Sequence, residues 1–259
     1  MVPVRFHGAR LAYQVDGPPD APALLLLQGQ ANSHRWWDPL RAAFATTFRT
    51  VTFDYRGTGD TVAEPEAWTT RSFAEDAAAV LDHLGVARAH VYGTSMGGRI
   101  AQWLAIDDPA RVDRLVLACT TPGGPHALER DQDVRRALAQ PDADARRAAL
   151  LDLMYTPARP RSLPSTLLGD PTMTAAAQRL HRTASARHDA FDALPRIAAP
   201  TLVLHGSEDR MAPVENAHLL ARRITGARLV VTDGGRHGFF DEFAGAVSAG
   251  VLTFLLGSG

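Results

Sequence analysis

The chain lacks features that several classes of protein require. Its 259 residues include a single cysteine, Cys119, which excludes an internal disulfide and a cysteine-based metal cluster. With 27 basic and 28 acidic residues, the formal net charge of −1 offers no attraction for nucleic acid or an anionic membrane. The longest apolar run, Ala23–Leu27, is far too short to span a bilayer, and no secretory signal pattern is visible. We therefore expect a cytoplasmic protein without a membrane or nucleic-acid partner.

Strand-like and helix-like segments alternate in the first part of the chain. Apolar runs such as residues 23–27 and 115–118 are continuous, as expected of buried parallel strands, and helical segments such as 73–84 separate them. Residues 4–6 and 11–15 have the pattern of an opening hairpin. We expect a largely parallel sheet with helices on both faces.

The middle of the chain has a different character. Between residues 126 and 188 the sequence predicts Arg- and Ala-rich helices interrupted by prolines, and no strand. Because strand patterns lie on both sides of this block, we expect one core domain formed by residues 1–121 and 196–259. Residues 122–195 are then expected to form a helical cap over the carboxyl edge of the sheet, where open α/β sheets bind their ligands.

The most informative motif is Gly93–Gly97, a G-x-S-x-G sequence that lies between a strand-like and a helix-like segment. This context is typical of a nucleophile elbow, in which a tight turn lifts the serine hydroxyl above the sheet. The glycines avoid the Cβ clashes that arise where strand and helix meet. The start of the helix also favours developing negative charge. We therefore predict that Ser95 is a nucleophile, with a plain turn serine as the alternative.

A serine hydroxyl needs a base, and two later loops offer the partners. His237 lies in a glycine-rich loop between the last strand and the last helix, from which its imidazole can reach Ser95. Asp209 follows the strand-like segment that ends at Leu204, and it is placed to orient His237. The neighbouring Glu208 competes for this role, and we expect it to face solvent. The order serine, aspartate, histidine matches neither common serine-protease arrangement.

A tetrahedral intermediate also requires hydrogen-bond donors for its oxyanion. The elbow supplies the backbone N–H of Met96. The second donor is expected in the turn after residues 23–27, and we assign it to the backbone N–H of Gln30. No cofactor is expected, because the histidines lack metal-ligand spacing and residues 56–59 do not form the G-x-G-x-x-G turn of a nucleotide site.

Together these motifs make the chain resemble the α/β-hydrolase-fold proteins. It is most similar to the small capped esterases and lactonases of which 3-oxoadipate enol-lactonase and aclacinomycin methylesterase are examples. The resemblance spans nearly the whole chain and rests on the oxyanion turn, the elbow and residues 54–59, 205–209 and 235–237. It implies an α/β-hydrolase fold with a mostly parallel eight-stranded sheet and an inserted helical cap. Gln28 departs from the histidine that most relatives carry before the glycine of this turn.

Five further side chains are predicted to line the substrate pocket: His34, Trp37, Arg99, Met154 and Phe239. His34 and Trp37 follow the oxyanion turn, and Arg99 follows the elbow. For the apolar side chains among them, the alternative is packing in the hydrophobic core. For Arg99 the plainer interpretation is a helix-surface position paired with an acid.

The sequence favours a cofactor-independent serine hydrolase that acts on a carboxylic ester or lactone of a small or medium-sized metabolite, as a monomer or homodimer. Two alternatives remain open. The same three side chains can abstract a proton in a lyase, a C–C bond hydrolase or a biosynthetic cyclase. A non-catalytic receptor of the same fold can bind a ligand in the capped pocket, although such a receptor has no need of His237.

Overall fold

A sheet of seven strands forms the centre of the fold. The computed structural model describes residues 3–257. Their strands are β1 (Val4–Phe6), β2 (Ala9–Leu11), β3 (Tyr13–Asp16), β4 (Ala23–Leu27), β5 (Arg49–Phe53), β6 (Ala89–Thr94), β7 (Val112–Ala118), β8 (Thr201–Gly206) and β9 (Arg228–Thr232). The central sheet has the order β3-β5-β4-β6-β7-β8-β9, in which only β3 is antiparallel to its neighbour.

Helices follow most of the parallel strands. They are α1 (Asp38–Ala45), α2 (Thr70–His83), α3 (Met96–Asp107), α4 (Gln132–Leu138), α5 (Ala143–Met154), α6 (Ala175–Ala186), α7 (Glu215–Arg223), α8 (Phe239–Glu242) and α9 (Ala244–Leu255). Short 3₁₀ helices lie at His34–Trp37 and Phe191–Arg196. None of the helices in residues 3–257 combines the length and the apolar character that crossing a bilayer requires.

The expected count of eight strands is wrong by one, because the central sheet has seven. The expected opening hairpin forms, but its second strand is β2 and not residues 11–15. Strands β1 and β2 form a separate two-stranded antiparallel sheet, and Ala12 separates β2 from β3. The Ala12 N–H donates to the Thr61 hydroxyl over 2.9 Å, and Arg10 exchanges two backbone hydrogen bonds with Val62. The first hairpin is therefore attached to a loop rather than to the edge of the central sheet.

Both faces of the sheet are covered, as the sequence predicted. Along the fully buried strand β4, Leu25 and Leu27 belong to one apolar cluster, whereas Leu24 and Leu26 belong to a second. This alternation is expected of a parallel strand that lies between two layers of helices. The single cysteine, Cys119, is a buried member of the second cluster.

The segment between β7 and β8 contains α4, α5 and α6, and it forms no strand beyond one isolated bridge. That bridge joins Gly123 to Asp189, and the Ala190 N–H donates to the Pro122 carbonyl over 2.9 Å. The chain therefore leaves the sheet and returns to it at nearly the same place. The helices between these points are an insertion in the sequence between β7 and β8, two strands that are direct neighbours in the sheet.

Candidate active site

The turn at Ser95 has a strained backbone that close contacts hold in place. Ser95 lies between β6 and α3 with φ 54° and ψ −119°. Residues other than glycine rarely adopt this backbone conformation. A Cβ on Gly97 would lie 2.1 Å from the Leu27 carbonyl oxygen, so the helix can approach β4 only without one. The Thr120 hydroxyl donates to the Ser95 carbonyl over 2.7 Å. The sheet and the first turn of α3 therefore fix the direction of the Ser95 side chain.

The structure brings Ser95, His237 and Asp209 together in one chain of contacts. Ser95 Oγ lies 3.1 Å from His237 Nε2, and His237 Nδ1 lies 2.7 Å from Asp209 Oδ2. His237 is 3% exposed and Asp209 is 5% exposed, whereas Ser95 keeps more accessible surface. With Nδ1–H donating to the carboxylate, Nε2 is free to accept the proton of the serine hydroxyl.

Asp209 is held as a carboxylate by several donors. Burial alone would raise the pKa of Asp209, but the charge of His237 and hydrogen bonds from His205 and His237 outweigh burial. The pKa of Asp209 therefore lies well below its ordinary value. The backbone N–H groups of Met211 and Ala212 also donate to Oδ1, over 2.8 and 2.9 Å. An ionised, immobile carboxylate of this kind fixes the tautomer of the neighbouring imidazole.

Glu208 lies on the outer side of the same loop. Its side chain is 60% exposed, and its contact with Arg236 is a long one of 3.8 Å. The expectation that Glu208 faces solvent agrees with this placement.

The loop that carries His237 is bound to the end of α5. The backbone N–H of His237 donates to the Leu153 carbonyl over 3.2 Å, and that of Gly238 donates to the Met154 carbonyl over 2.7 Å. Arg236 donates to the carbonyl of Tyr155 over 3.0 Å. The last carbonyls of a helix have no partner within the helix, and here the histidine loop supplies donors for them.

The turn after β4 presents the second predicted donor. Within residues 3–257, neither the Gln30 N–H nor the Met96 N–H donates a hydrogen bond to another protein group. The turn is fixed by the next residue, Ala31, which has φ 58°. Its N–H donates to His181 Nδ1 over 3.3 Å, and its carbonyl accepts from the Asp170 N–H over 2.8 Å. Neither N–H group is therefore committed to an acceptor among the described residues.

Gln28 joins two strands below this turn. Its side-chain amide donates to the Phe53 carbonyl over 2.8 Å, and its own carbonyl accepts from the Tyr55 hydroxyl over 3.0 Å. Gln28 is fully buried. The residue therefore ties β4 to the end of β5.

Three of the five predicted pocket residues lie in the core instead. Trp37 and Phe239 have no exposed surface, Met154 is 1% exposed, and all three belong to the second apolar cluster. Trp37 packs edge-on against Tyr92, with ring centroids 5.0 Å apart. Their placement as pocket-lining residues is corrected, because packing against other apolar side chains leaves them no free surface.

His34 is half-buried and paired with a buried carboxylate. Asp54 Oδ1 lies 2.9 Å from His34 Nδ1 and also accepts the His34 backbone N–H over 2.7 Å. The hydrogen bond to Asp54 raises the pKa of His34 against the opposing effect of burial. Asp54 also accepts from the Asp60 N–H over 3.1 Å, so this carboxylate holds the loop after β5.

Arg99 is half-buried, and none of its side-chain hydrogen bonds within the described residues ends on an acid. It donates to the hydroxyl and the carbonyl of Ser185, at the end of α6, and to the Thr121 hydroxyl over 3.0 Å. Burial lowers the pKa of Arg99 to about 10, and the charge of Arg130 acts in the same direction. The alternative of a surface arginine paired with an acid is therefore wrong.

His181, on α6, was not identified from the sequence. Its Nδ1 accepts from Ala31, and its Nε2 lies 2.8 Å from the Arg56 carbonyl, so the ring is the neutral Nε2–H tautomer. Burial lowers the pKa of His181 to about 4. Within residues 3–257, no three His, Cys, Asp or Glu side chains are grouped as ligands for a metal ion.

The chain is similar to several known proteins. The family model of the alpha/beta hydrolase fold matches residues 22–244. The chain is 30% identical over 261 residues to the "Putative carbamate hydrolase RutD" of Caulobacter sp. (strain K31), with 95% of this chain and 96% of the relative covered. It is 37% identical over 112 residues to 3-oxoadipate enol-lactonase 1 of Acinetobacter baylyi, with 43% of this chain and 42% of the relative covered.

Among solved structures, the enol-lactonase of Burkholderia xenovorans LB400 matches with a TM-score of 0.83 at 27% identity. The match covers 96% of this chain and 97% of that one. These matches confirm that the chain resembles the α/β-hydrolase-fold proteins, and that enol-lactonases are among its relatives.

Proposed function

The chain belongs to the alpha/beta hydrolase fold family, and from this premise we propose that it is a serine hydrolase that cleaves a carboxylic ester or lactone. The substrate is a small or medium-sized metabolite, and the reaction passes through an acyl-enzyme on Ser95. The observation that carries the proposal is the continuous line of contacts from Ser95 Oγ through His237 to Asp209.

In the first half of the reaction, His237 Nε2 takes the proton of Ser95 Oγ as the oxygen attacks the substrate carbonyl carbon. Asp209, whose pKa is lowered, stabilises the imidazolium that forms. The free N–H groups of Met96 and Gln30 donate to the oxyanion. His237 then gives its proton to the leaving alcohol, and the acyl group remains on Ser95.

In the second half, His237 deprotonates a water molecule that attacks the acyl carbon of the ester on Ser95. The oxyanion forms again and collapses, Ser95 leaves with the proton from His237, and the carboxylic acid is released. In a lactone the alcohol and the acid belong to one molecule, so ring opening yields a single hydroxy acid.

Residues 122–195 form the cap in this proposal. Support comes from the bridge between Gly123 and Asp189, which joins the two ends of the insertion. Further support comes from α5 and α6, because Leu153 binds the histidine loop and His181 binds the oxyanion turn. The cap therefore contributes to the arrangement of the catalytic groups as well as to the shape of the pocket.

Hydrolysis of 4-nitrophenyl acetate, 4-nitrophenyl butyrate and a small lactone tests the proposal. We expect Ser95→Ala and His237→Ala each to lower kcat by about 10⁴-fold or more. Ser162→Ala is the matched control, since Ser162 is exposed and lies in the insertion. A carbamate is included in the panel because one relative is named for that substrate. Unchanged ester turnover in both active-site variants would contradict the proposal.

A further inference from the structure

The turn after β4 lies directly beside the start of α3. A Cβ on Gly97, two residues after Ser95, would lie 2.6 Å from the Gln28 carbonyl oxygen. Gln30, whose N–H is the second donor assigned to the oxyanion, lies two residues further along the same turn. A movement of the backbone in this turn therefore changes the position of the Gln30 N–H relative to Ser95.

Ala31 holds the turn in a conformation that costs free energy. Its φ of 58° lies in the left-handed region, which alanine rarely adopts. Such strain persists only where the surrounding structure holds the backbone in place. The N–H of Ala31 donates to His181 Nδ1 over 3.3 Å, and its carbonyl accepts from the Asp170 N–H over 2.8 Å. Two contacts with the insertion therefore hold Ala31, and a third contact comes from the turn itself.

The third contact is made by the side chain of Asn32, whose Nδ2 donates to the Gln30 carbonyl over 2.8 Å. The peptide that follows Gln30 is then held on both sides, at its carbonyl by Asn32 and at its N–H by His181. The other end of the same amide, Asn32 Oδ1, accepts from the Gly169 N–H over 2.9 Å. Asn32 is 4% exposed. One buried amide therefore joins the turn to the insertion.

The insertion reaches the turn through residues 169–172, a segment between α5 and α6 that we call the strap. The Asp170 carboxylate accepts from the Gly59 N–H over 2.6 Å, which ties the strap to the loop after β5. Gly169 has φ 104°, a conformation that favours glycine. The strap is therefore held in place, and it presents the Gly169 N–H to Asn32 in a fixed position.

We propose that Asn32 is a positioning residue of the oxyanion hole. Its amide nitrogen holds the Gln30 carbonyl, so that the N–H of Gln30 points to the oxyanion that forms at Ser95. Its amide oxygen anchors this arrangement to the strap. The inference rests on the proposed function, and it adds a residue that acts through Gln30 and not on the substrate.

Asn32→Ala removes both contacts of the amide. An oxyanion donor stabilises the transition state more than the bound ester, so its displacement lowers kcat and leaves KM nearly unchanged. We expect kcat for 4-nitrophenyl butyrate to fall about 10- to 100-fold, with KM within about twofold of the unaltered chain. Steady-state kinetics measures both constants, with Ser95→Ala as the blank for spontaneous hydrolysis.

Asn216→Ala is the matched control. Asn216 is also buried, and its side chain exchanges two hydrogen bonds of 2.9 Å with the backbone of Leu128, in the insertion. Each substitution removes a buried amide that binds the insertion, so both lower the free energy of unfolding in urea. Only Asn32→Ala is expected to lower kcat.

Asn32→Asp is a second variant that keeps the shape of the side chain and the acceptor for Gly169. At about pH 9 a carboxyl group of ordinary pKa is ionised and has no proton to donate to the Gln30 carbonyl. Assayed at this pH, Asn32→Asp is expected to lose turnover as Asn32→Ala does. It replaces Asn32→Ala if urea denaturation shows that the alanine variant does not fold.

The ketone 1,1,1-trifluoropentan-2-one, which carries the same butyryl group as the ester, gives a readout that does not depend on turnover. Ser95 Oγ adds to the ketone carbon as His237 takes its proton, and the carbonyl oxygen becomes an oxyanion. Because the oxyanion donors stabilise this adduct, we expect its affinity to fall about 10- to 100-fold in Asn32→Ala. Titration followed by fluorine NMR measures the affinity, which Asn216→Ala is expected to keep.

Three results would overturn the inference. The first is a kcat and a ketone affinity that do not depend on Asn32, and the second is an equal fall of kcat in Asn216→Ala. The third is a change in KM alone, because Asn32 would then act on the substrate. If the unaltered chain hydrolyses no ester, the proposed function fails, and ketone binding that depends on Asn32 still supports the role of Asn32. If esters are hydrolysed and one of the three results is found, only this inference fails.

Discussion

The nucleophile elbow and the insertion between β7 and β8 hold the candidate site in two different ways. Ser95 is fixed by backbone contacts within the sheet, above all the approach of Gly97 to the Leu27 carbonyl. His237 and the oxyanion turn are instead fixed by the insertion, through the carbonyl of Leu153 and the side chain of His181. The sheet positions the proposed nucleophile, and the insertion positions the groups proposed to act with it.

This difference has a structural consequence. Residues of α5 and α6 bind backbone groups of the histidine loop and of the turn after β4. We therefore expect a substitution in the insertion to shift the candidate catalytic groups, even where the substituted residue contacts no substrate. The elbow, in contrast, depends on contacts that do not involve the insertion. We therefore expect substitutions at the elbow to lower stability and substitutions in the insertion to lower turnover.

The largest effect is expected at the elbow. Gly97→Ala places a Cβ 2.1 Å from the Leu27 carbonyl oxygen and 2.6 Å from the Gln28 carbonyl oxygen. Because both neighbours are backbone atoms, at the end of β4 and in the turn after it, α3 and β4 must separate. We expect a loss of at least about 3 kcal/mol in the free energy of unfolding, measured by urea denaturation.

Gly250→Ala is the control for this substitution. Gly250 lies in α9 with open space at its Cβ position, so alanine there is expected to raise the free energy of unfolding by up to about 1 kcal/mol. If Gly97→Ala were as stable as the unaltered chain, the sheet would not be what fixes Ser95.

A smaller effect, and one on turnover, is expected from the insertion. His181→Ala removes the acceptor of the Ala31 N–H and frees the turn that carries the Gln30 N–H. Misplacing one oxyanion donor costs about 100-fold in kcat. Steady-state kinetics on a 4-nitrophenyl ester measures this loss, and the exposed His218 in α7 gives the control variant His218→Ala. A kcat equal to that of the control would show that the insertion does not position the turn.

The smallest effect is a dependence of stability on pH. Since burial lowers the pKa of His181 from 6.5 to about 4, the unfolded chain binds a proton in this pH window that the folded chain does not. The stability contributed by neutral His181 is present above pH 6.5 and is lost as the pH falls toward 4. Between pH 7 and pH 5 this one group accounts for about 2 kcal/mol.

Urea denaturation at pH 7 and pH 5 measures this effect in the unaltered chain and in His181→Gln. Glutamine keeps a donor and an acceptor but does not titrate. The raised pKa of His34 acts in the opposite direction, and the lowered pKa of His188 acts in the same direction. Both are common to the two proteins, so the difference between them isolates His181. Equal losses of stability in the two proteins would contradict the expectation.

Local motifs made much of this architecture predictable. The elbow is read from five adjacent residues, and Asp209 and His237 follow strands whose carboxyl ends must meet at one edge of a parallel sheet. Glu208 was expected in solvent because adjacent loop residues point in different directions. The strand count was missed because β1 and β2 pair with each other and with no strand of the central sheet.

The contributions of the insertion were not predictable in the same way. His181 meets Ala31 across 150 positions of the chain, and no local pattern indicates that contact. An apolar residue type is equally compatible with a pocket wall and with the core, so Trp37 and Phe239 could be placed only by their packing. Arg99 was predicted to line the pocket, with a surface pair to an acid as the alternative, and only the fold shows that its partners are neutral oxygens.

The identity of the nucleophile is tested most directly by labelling the protein with a fluorophosphonate and mapping the adduct by mass spectrometry. The reagent forms a stable bond with a serine whose hydroxyl is activated by a neighbouring base. We expect one adduct, on Ser95, that forms far more slowly in His237→Ala and in Asp209→Asn. An unlabelled protein, or a label on another serine such as Ser33, would contradict the role assigned to Ser95.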